Sequence, residues 1–352
     1  MKTSILICTR NGARTITETI SAIGRQSGIL PGNYEVIVVD NGSTDNTFVL
    51  AAQALAPLPC HHVLLKQPVP GKLNSLLLGV KTAAGSLISV IDDDNQVCEE
   101  FVSRTSAMFD DFPEIGMVGS ANTLLAENVP EWFTYTSGKF GCSKPMFGDD
   151  LRKIDDFRWV SSFGAIAGAG STFRKQPLLA ALDRGFSFLN DTFRDTSMAV
   201  TGEDTELCQL FRHFGYKFGF DTRITVQHRI DPSRLDWPYA RRLARSIGRG
   251  GLGIDAILMM GDDVESSFFG RLRTTWWWMA ARRLKRLVKL LPAVIKAKVA
   301  GRIIDPIWLT WEGEYGALER VIRERRRIQP LLKERLHSDW QKLRLTSSGN
   351  CE

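Results

Sequence analysis

Three consecutive carboxylates follow an apolar run in the first third of the chain. Asp92, Asp93 and Asp94, with Asn95 after them, come directly after the strand-like residues 86–91. Carboxylates at the end of a buried parallel strand are costly unless a cation lies among them, and ligands bind at that edge of open α/β sheets. Because Mg²⁺ and Mn²⁺ prefer oxygen ligands and share them with substrate phosphates, the run predicts a site for a divalent metal and a diphosphate. A solvated acidic turn is the alternative.

A further carboxylate, Asp40, follows the apolar run 36–39 and precedes a predicted helix. Its place at a strand end suggests hydrogen bonding to a base or a ribose. Alternatively, these residues form only the turn and the helix cap that any α/β protein needs, with Ser43, Thr44 or Asp45 as the N-cap.

Short apolar strands and helices that could position these groups alternate from residue 3 to about residue 125. The pattern predicts strands at 4–8, 35–40, 62–66, 87–92 and 117–120, and helices at 15–27, 47–56 and 72–84. Such βαβ units form a mainly parallel sheet. Right-handed crossovers then place Thr9, Asp40 and Asp92 along one edge of it.

The second part of the chain changes character. Residues 122–200 look irregular, are rich in aromatics and glycines, and suit a pocket over the sheet edge. A helix is predicted at 203–214 and an extended segment at 217–227, directly before His228. After Pro232 the pattern predicts helices to the end.

Charge and cysteine content narrow the class of protein. The formal net charge is +6, yet the segment 271–302 holds ten Lys or Arg and no Asp or Glu, so the rest of the chain is net −4. The six cysteines form no CxxC pair, which argues against a zinc site or a disulfide framework and favours a reducing compartment. No apolar window of about 18 residues is present, so we expect a cytoplasmic protein without a signal peptide or a membrane span.

Six short motifs follow one another along the chain: Cys8-Thr9-Arg10-Asn11, Val38-Val39-Asp40-Asn41-Gly42-Ser43-Thr44-Asp45, Gly71-Lys72-Leu73-Asn74, Ile91-Asp92-Asp93-Asp94-Asn95, Thr201-Gly202-Glu203-Asp204 and His228. In this order they closely resemble the motifs of the family 2 inverting glycosyltransferases of GT-A fold, in their non-processive bacterial form. The resemblance implies a Rossmann-like, mainly parallel sheet flanked by helices. It implies a catalytic domain at 1–230, with a nucleotide-sugar half at 1–120 and an acceptor half at 121–230, and leaves 231–352 as a helical carboxyl-terminal appendage.

The resemblance also implies which residues bind the donor. Thr9 and Asp40 would hold the nucleoside, and Lys72 would contribute positive charge. The full set implied for the nucleotide sugar is Thr9, Arg10, Asn11, Asp40, Lys72, Asn74, Asp92 and Asp93. Asp92, Asp94 and His228 would bind the metal, Mn²⁺ or Mg²⁺, although a purely structural role is the alternative for His228.

On the acceptor side, Glu203 and Asp204 resemble an acidic pair in which the aspartate is the catalytic base and the glutamate supports it. The base would take the proton of the attacking hydroxyl while the metal stabilises the departing diphosphate. Alternatively, the two acids only begin a helix, where the dipole favours negative charge. Trp159, Gly168, Ala169 and Gly170 correspond loosely to the acceptor loop, with tight strand packing as the alternative.

A basic amphipathic helix is predicted within 271–302. One side carries Trp277, Ala280, Ala281, Leu284, Leu287, Val288 and Leu291, and the other carries Arg282, Lys285, Arg286 and Lys289. Such a helix fits an anionic membrane surface, so we expect possible peripheral attachment to the cytoplasmic face of the inner membrane. Docking on its own domain and a homodimer contact are the alternatives, whereas nucleic acid is not expected.

The expected function is therefore metal-dependent, inverting transfer of a sugar from a nucleotide-diphosphate sugar. The acceptor would be a hydroxyl of a saccharide or of a lipid-linked acceptor in cell-surface polysaccharide or glycoconjugate synthesis. Residues 241–248 lack the QxxRW signature of processive relatives, which implies transfer of one or very few sugars. The alternatives are a sugar nucleotidyltransferase and a catalytically inactive sugar-binding or scaffold subunit.

Overall fold

The computed structural model describes residues 3–126, 128–142, 157–159, 165–190, 200–258, 272–336, 338–346 and 351. Within these ranges, only the backbone is described at 157–159, 254, 256–258, 329 and 333–336. The strands are β1 Thr3–Thr9, β2 Tyr34–Asp40, β3 His61–Lys66, β4 Leu87–Asp92, β5 Asn95–Val97, β6 Ile115–Leu124, β7 Phe157–Trp159, β8 Ser171–Arg174 and β9 Lys217–His228. The helices are α1 Ile16–Gly24, α2 Thr47–Leu55, α3 Lys72–Thr82, α4 Phe101–Asp111, α5 Lys175–Asp183, α6 Glu203–His213, α7 Trp237–Leu258, α8 Trp276–Val299, α9 Pro306–Arg323 and α10 Arg325–Leu336.

The described strands form one sheet in the order β3-β2-β1-β4-β8-β6-β9-β5, and β7 also pairs with β9. The first four strands in this order are parallel to one another. Thr9 lies opposite Asp40, and Cys8 lies opposite Asp92. The prediction that Thr9, Asp40 and Asp92 share one edge of a parallel sheet is therefore confirmed.

The other half of the sheet is mixed. β8 runs antiparallel to both β4 and β6, whereas β9 runs parallel to β6. The short strand β5 turns back immediately after the carboxylates and pairs antiparallel with β9, so that Asn95 lies opposite His228. This pairing brings a histidine from late in the chain beside the Asp92–Asp94 turn.

Helices cover both faces of the sheet, which explains why its central strands are apolar throughout. On one face, Leu6, Val39 and Ile88 pack against α3, α5 and α6. On the other face, Ile5 and Val38 pack against α1, α2 and α4. Successive residues of each strand point to opposite faces, so both sets are needed for a two-sided core.

The prediction of an irregular segment at 122–200 is wrong in part. β6 continues to Leu124, and β8 leads directly into α5 within the supposedly irregular stretch. β8 has only four residues and no polar alternation, so its pairing with two neighbours decides its conformation rather than its own pattern.

Helix α4 was not predicted, although the sequence carries a signal for it. Its buried residues Phe101, Val102, Thr105, Met108 and Phe109 follow the spacing of an amphipathic helix.

The carboxyl-terminal region is helical, as predicted. α7 packs against α6 and α9, and α8 packs against α9. Among the described residues, every helix is too short or too polar to cross a bilayer. The division of the chain at residue 230 stays a prediction.

Candidate functional site

The nucleotide side of the candidate site begins at the ends of β1 and β2. Asp40 is buried, and its two carboxylate oxygens accept hydrogen bonds from the backbone N–H of Ser43 at 3.3 and 3.4 Å. The Thr9 hydroxyl donates to Oδ2 of Asp93. Both residues therefore lie at the predicted edge, and both also hold neighbouring turns in place.

Asn11 joins the loops that follow β1 and β2. Its backbone adopts a left-handed conformation with φ of 56°, its N–H donates to Ser43 Oγ at 2.9 Å, and its Oδ1 accepts from the Thr44 N–H at 2.9 Å. The neighbouring Arg10 is exposed and lines the adjacent groove. Asn11 thus joins the two loops, whereas Arg10 lines the groove beside them.

Asn41 fixes the loop that presents Lys72. The Asn41 amide donates to the carbonyl of Val69 at 2.8 Å and accepts from the Gly71 N–H at 2.7 Å. Gly71 has a φ of 130°, which a side chain would rarely allow, and α3 begins at the next residue. The Asn74 amide closes the same loop by donating to the carbonyl of Pro70 at 2.9 Å.

Lys72 neutralises the first carboxylate of the triplet. Its Nζ lies 2.6 Å from Asp92 Oδ1. Burial disfavours the charged ammonium, but the carboxylates of Asp92 and Glu203 outweigh this effect and raise the pKa of Lys72. Lys72 therefore stays a cation at neutral pH, next to the predicted diphosphate site.

Asp93 occupies a tight space behind the β1 loop. Burial and the neighbouring carboxylates Asp94 and Asp92 raise its pKa to about 6, although the hydrogen bond from Thr9 opposes the shift. A Cβ at Gly12 would overlap Asp93 Oδ2. Glycine at position 12 is therefore required by the close approach of the Asp93 carboxylate.

Asp94 and His228 form the second polar pair. His228 Nε2 lies 3.2 Å from Asp94 Oδ1, while Cys142 Sγ lies 3.6 Å from its Nδ1. The Arg234 guanidinium reaches Asp94 Oδ2 at 3.5 Å. Burial alone would lower the pKa of His228, but its interactions with Asp94 and Cys142 raise it to about 10.

These groups fit a divalent ion shared with a substrate. The 3.2 Å between the Asp94 and His228 donor atoms matches the roughly 3 Å between neighbouring ligands of an ion bound at about 2.1 Å. Asp92, the third predicted ligand, instead contacts Lys72, and no three acidic, His or Cys side chains of the described ranges form a metal-binding group. Two protein ligands plus diphosphate oxygens are a usual set for Mg²⁺ or Mn²⁺.

The predicted base lies at the start of α6. Gly202, with a φ of 123°, precedes Glu203, and the Asp204 carboxylate accepts from the N–H of Gly168 at 2.9 Å and of Thr205 at 2.6 Å. These two backbone donors hold the carboxylate in one orientation. Burial raises the pKa of Glu203, with Lys72 opposing and Asp204 reinforcing the shift.

The predicted acceptor loop serves both packing and the cavity. A Cβ on Gly170 would overlap Ser120 Oγ, so this glycine is needed for close packing against β6. Gly168 and Ala169 line the cavity next to Asp204. Trp159 lies in β7 opposite Gly219, and its side chain lies outside the described part of the chain.

One cavity of about 380 Å³ joins the two sides of the site. Its lining includes Lys72, Asp92, Gly168, Asp204, His228 and Arg234. A second cavity of about 250 Å³ shares Lys72, Asp92, His228 and Arg234 and extends to Thr9, Asn41 and Asp93. The predicted donor, metal and base residues therefore converge on connected space, whereas Asp40, Asn11 and Asn74 hold the loops around it.

Comparison with known proteins is consistent with this geometry. Residues 4–177 match the domain described as glycosyl transferase family 2. These 174 of the 352 residues are thus similar to glycosyl transferase family 2, as the motifs predict.

Two curated proteins match part of the chain. It is 26% identical over 135 residues to glycosyltransferase AglE of Haloferax volcanii, covering 38% of this chain and 41% of that protein. It is 31% identical over 105 residues to dolichol-phosphate mannosyltransferase of Pyrococcus furiosus, covering 30% of this chain and 29% of that one. The chain therefore spans less than half the length of these relatives.

The fold has a close counterpart among solved structures. The mannosyltransferase PcManGT of Pyrobaculum calidifontis, solved with GDP-Man and Mn²⁺, superposes with a TM-score of 0.53 at 14% identity, over 93% of this chain and 87% of that one. This likeness confirms the predicted GT-A fold.

Sequence reasoning about this domain missed three site residues. Asn41 was interpreted only as part of a turn, although its amide holds the Lys72 loop. Gly12 directly follows the Cys8–Asn11 motif. A glycine at this position could have indicated that another group, here the Asp93 carboxylate, approaches the backbone closely. Arg234 has no distinctive pattern, because only the fold brings it to Asp94.

Proposed function

We propose that this protein is an inverting glycosyltransferase that moves one sugar from a nucleotide-diphosphate sugar to a hydroxyl of a saccharide or lipid-linked acceptor. The observation that carries the proposal is the shared lining of one cavity. Lys72, Asp92 and His228 line it together with Asp204. A donor diphosphate and an attacking hydroxyl could therefore meet between cationic groups and a fixed carboxylate.

In the proposed reaction, Asp204 accepts the proton of the acceptor hydroxyl as its oxygen attacks the anomeric carbon. The Gly168 and Thr205 N–H groups keep the carboxylate oriented. Glu203, which is half-buried and interacts with Lys72, supports the local charge balance. Attack from the face opposite the diphosphate gives inversion at the anomeric carbon.

On the leaving-group side, Lys72 and Arg234 would offset negative charge on the departing diphosphate. Asp94 and His228 would hold Mn²⁺ or Mg²⁺, with Asp92 sharing its negative charge between the metal and Lys72. When bound, the ion would stabilise the diphosphate as a Lewis acid. The presence of GDP-Man and Mn²⁺ in the similar mannosyltransferase structure supports this part of the proposal.

Thr9 and Arg10, which line the smaller cavity together with Asp93, would bind the nucleoside, and Asp40 at the neighbouring strand end would contribute to the same contact. Asn11 and Asn74 would act by holding the loops. Trp159 and Gly168–Gly170 would contact the acceptor. We place the enzyme in the cytoplasm, and at an anionic membrane surface through 271–302 when the acceptor is lipid-linked.

A donor panel tests the proposal directly. Purified protein would be mixed with UDP-, GDP- and dTDP-sugars, with Mn²⁺, with Mg²⁺ or with a chelator, and nucleoside diphosphate release and thermal stabilisation would be read. We expect one donor to stabilise the protein and to be hydrolysed slowly only with metal. Diphosphate release from a nucleoside triphosphate and a sugar phosphate would identify a nucleotidyltransferase instead, and donor binding without turnover on any acceptor would support a scaffold role.

A further inference from the structure

Helix α8 carries an apolar stripe that no described part of the chain covers. The stripe consists of Leu284, Val288, Leu291, Ile295 and Val299, and it continues into Ile303 and Ile304. The side chain of Leu284 is 54% exposed, that of Val288 is 60% exposed, and that of Val299 is 84% exposed. Contiguous exposed apolar surface of this kind marks an interaction site.

The stripe is separate from the side by which α8 packs on the protein. Met279, Leu287, Val294 and Ala297 are buried, and α8 contacts α9. The predicted apolar side is therefore divided, because Leu287 turns inward whereas Leu284, Val288 and Leu291 stay outside. Helix α8 therefore packs against the chain's own helices on one side and keeps an exposed apolar surface on another.

The cations of α8 are divided in the same way. Inward-facing Arg283 pairs with Asp255 at 2.6 Å and with Glu314 at 3.1 Å, and Arg286 pairs with Glu314 at 2.9 Å. Five exposed cations have no carboxylate partner among the described residues: Arg282, Lys285, Lys289, Lys296 and Lys298. At 100° per residue, Lys285, Lys289 and Lys296 flank one edge of the stripe, and Lys298 lies at the other.

The charge pattern around the stripe indicates which partner binds there. A second copy of the chain placed on the stripe would bring two rows of unpaired cations together, because α8 contains no Asp or Glu. An anionic phospholipid surface instead offers apolar chains for the stripe and phosphates for the cations. Lysine stems can extend along the stripe while their ammonium groups reach the headgroups.

We infer that α8 lies in the interface of an anionic bilayer, with the stripe among the upper acyl chains and the four lysines that flank it at the phosphates. The stripe ends at a groove of about 460 Å³, where Ile303 and Ile304 meet Trp237 and Arg242. Arg242 is exposed and adds a guanidinium at the same level. The biological role of this contact rests on the proposed function, since a lipid-linked acceptor is reached at a membrane. Binding to the bilayer itself requires no nucleotide-sugar donor.

The test is sedimentation of the purified chain with vesicles of phosphatidylglycerol and phosphatidylcholine, compared with vesicles of phosphatidylcholine alone, without nucleotide. We expect binding to the anionic vesicles that weakens with salt. Lys285→Gln/Lys289→Gln should weaken it about 30-fold, at about fivefold per cation. Leu284→Ser/Val288→Ser should weaken it by more than about tenfold.

Matched controls lie outside the carboxyl-terminal helices and outside the cavities of the candidate site. Val49 on α2 is 54% exposed, so Val49→Ser removes the same type of surface elsewhere, and Arg25→Gln/Lys81→Gln removes two exposed cations. Both controls should bind like the parent. Circular dichroism and thermal midpoints should match for all variants, because none of the substituted side chains is buried.

Equal binding by the stripe variants and the parent would overturn the inference, as would no binding of the parent to anionic vesicles. A parent that is a dimer in light scattering, becomes monomeric in Leu284→Ser/Val288→Ser and ignores vesicles would assign the stripe to a second copy. Transfer to a detergent-free soluble acceptor is measured separately. If the parent protein did not transfer a sugar to this acceptor, the proposed function would be contradicted, whereas its binding to vesicles would be unaffected.

Discussion

Arg320 of α9 should be essential for stability because it connects the carboxyl-terminal helices to the turn before Asp204. Its side chain is almost fully buried and donates to Asn190 Oδ1 at 2.6 Å, to the carbonyl of Arg249 at 2.8 Å and to that of Leu189 at 2.5 Å. Asn190 in turn donates to the carbonyl of Gly202 at 3.2 Å. Arg320→Met keeps the bulk and removes every donor.

The magnitude follows from the acceptors left behind. The variant leaves two buried acceptors and one partly buried acceptor without a donor, and each unsatisfied buried group costs about 1–3 kcal/mol. Local relaxation and water entry recover part of this cost. We therefore expect the free energy of unfolding to fall by about 3–5 kcal/mol, as when one partner of a buried charge network is removed. The ion pair with Glu324 lies at the edge of the network and adds less than about 1 kcal/mol.

Urea-induced unfolding, followed by circular dichroism, measures this loss. The matched control is Arg323→Met, one turn away on the same helix, whose side chain is 53% exposed and pairs with Glu319. The control should lose less than about 1 kcal/mol. Equal and small losses in both variants would refute the view that Arg320 anchors the turn. If Arg320→Met remains folded, its transfer rate should also fall, because Gly202 sets the position of α6.

Three other variants address single features of the site and the sheet. Gly12→Ala should cost about 1–3 kcal/mol and weaken donor binding, because the new Cβ displaces Asp93, whereas Gly32→Ala, with no neighbour within 4 Å, should do neither in thermal-shift and binding assays. His228→Gln should raise the Mn²⁺ concentration for half-maximal donor binding by roughly tenfold or more, and an unchanged value would remove this residue from the metal site. Burial alone would raise the pKa of Asp221, but the hydrogen bonds from Arg223 outweigh burial and lower this pKa in the folded protein. The resulting stabilisation is present above the pKa of Asp221 in the unfolded chain and is lost as the pH falls through its pKa in the folded protein. Asp221→Asn should therefore be less stable than the parent at pH 7, and the difference should shrink in urea titrations below about pH 4.

The parallel half of the fold could be predicted because its signals are local. Apolar strands end in Thr9, Asp40 and Asp92, and topology rules alone place such ends together. The mixed half could not be predicted in the same way. β5 contains three residues, and it becomes a strand only because β9 offers partners opposite Asn95 and Val97.

The same distinction between local sequence patterns and long-range contacts applies to the candidate site. Carboxylates with a fixed sequence pattern, such as Asp94 and Asp204, were found from motifs, and the structure brings them to connected cavities. Supporting residues such as Asn41 and Arg234 were missed because their roles depend on contacts between distant segments. The exposed part of the α8 stripe also needed the structure, since a helical pattern alone cannot say which apolar residues α9 covers.

The most direct test of the central claim compares sugar transfer by the parent protein and by Asp204→Asn, with donor affinity measured on the same preparations by calorimetry. Asparagine keeps an oxygen acceptor for the Gly168 N–H but cannot take the hydroxyl proton. The account predicts unchanged donor affinity and a transfer rate at least about 100-fold lower. Transfer by Asp204→Asn at the parent rate, with the same donor and acceptor, would contradict the assignment of Asp204 as the base.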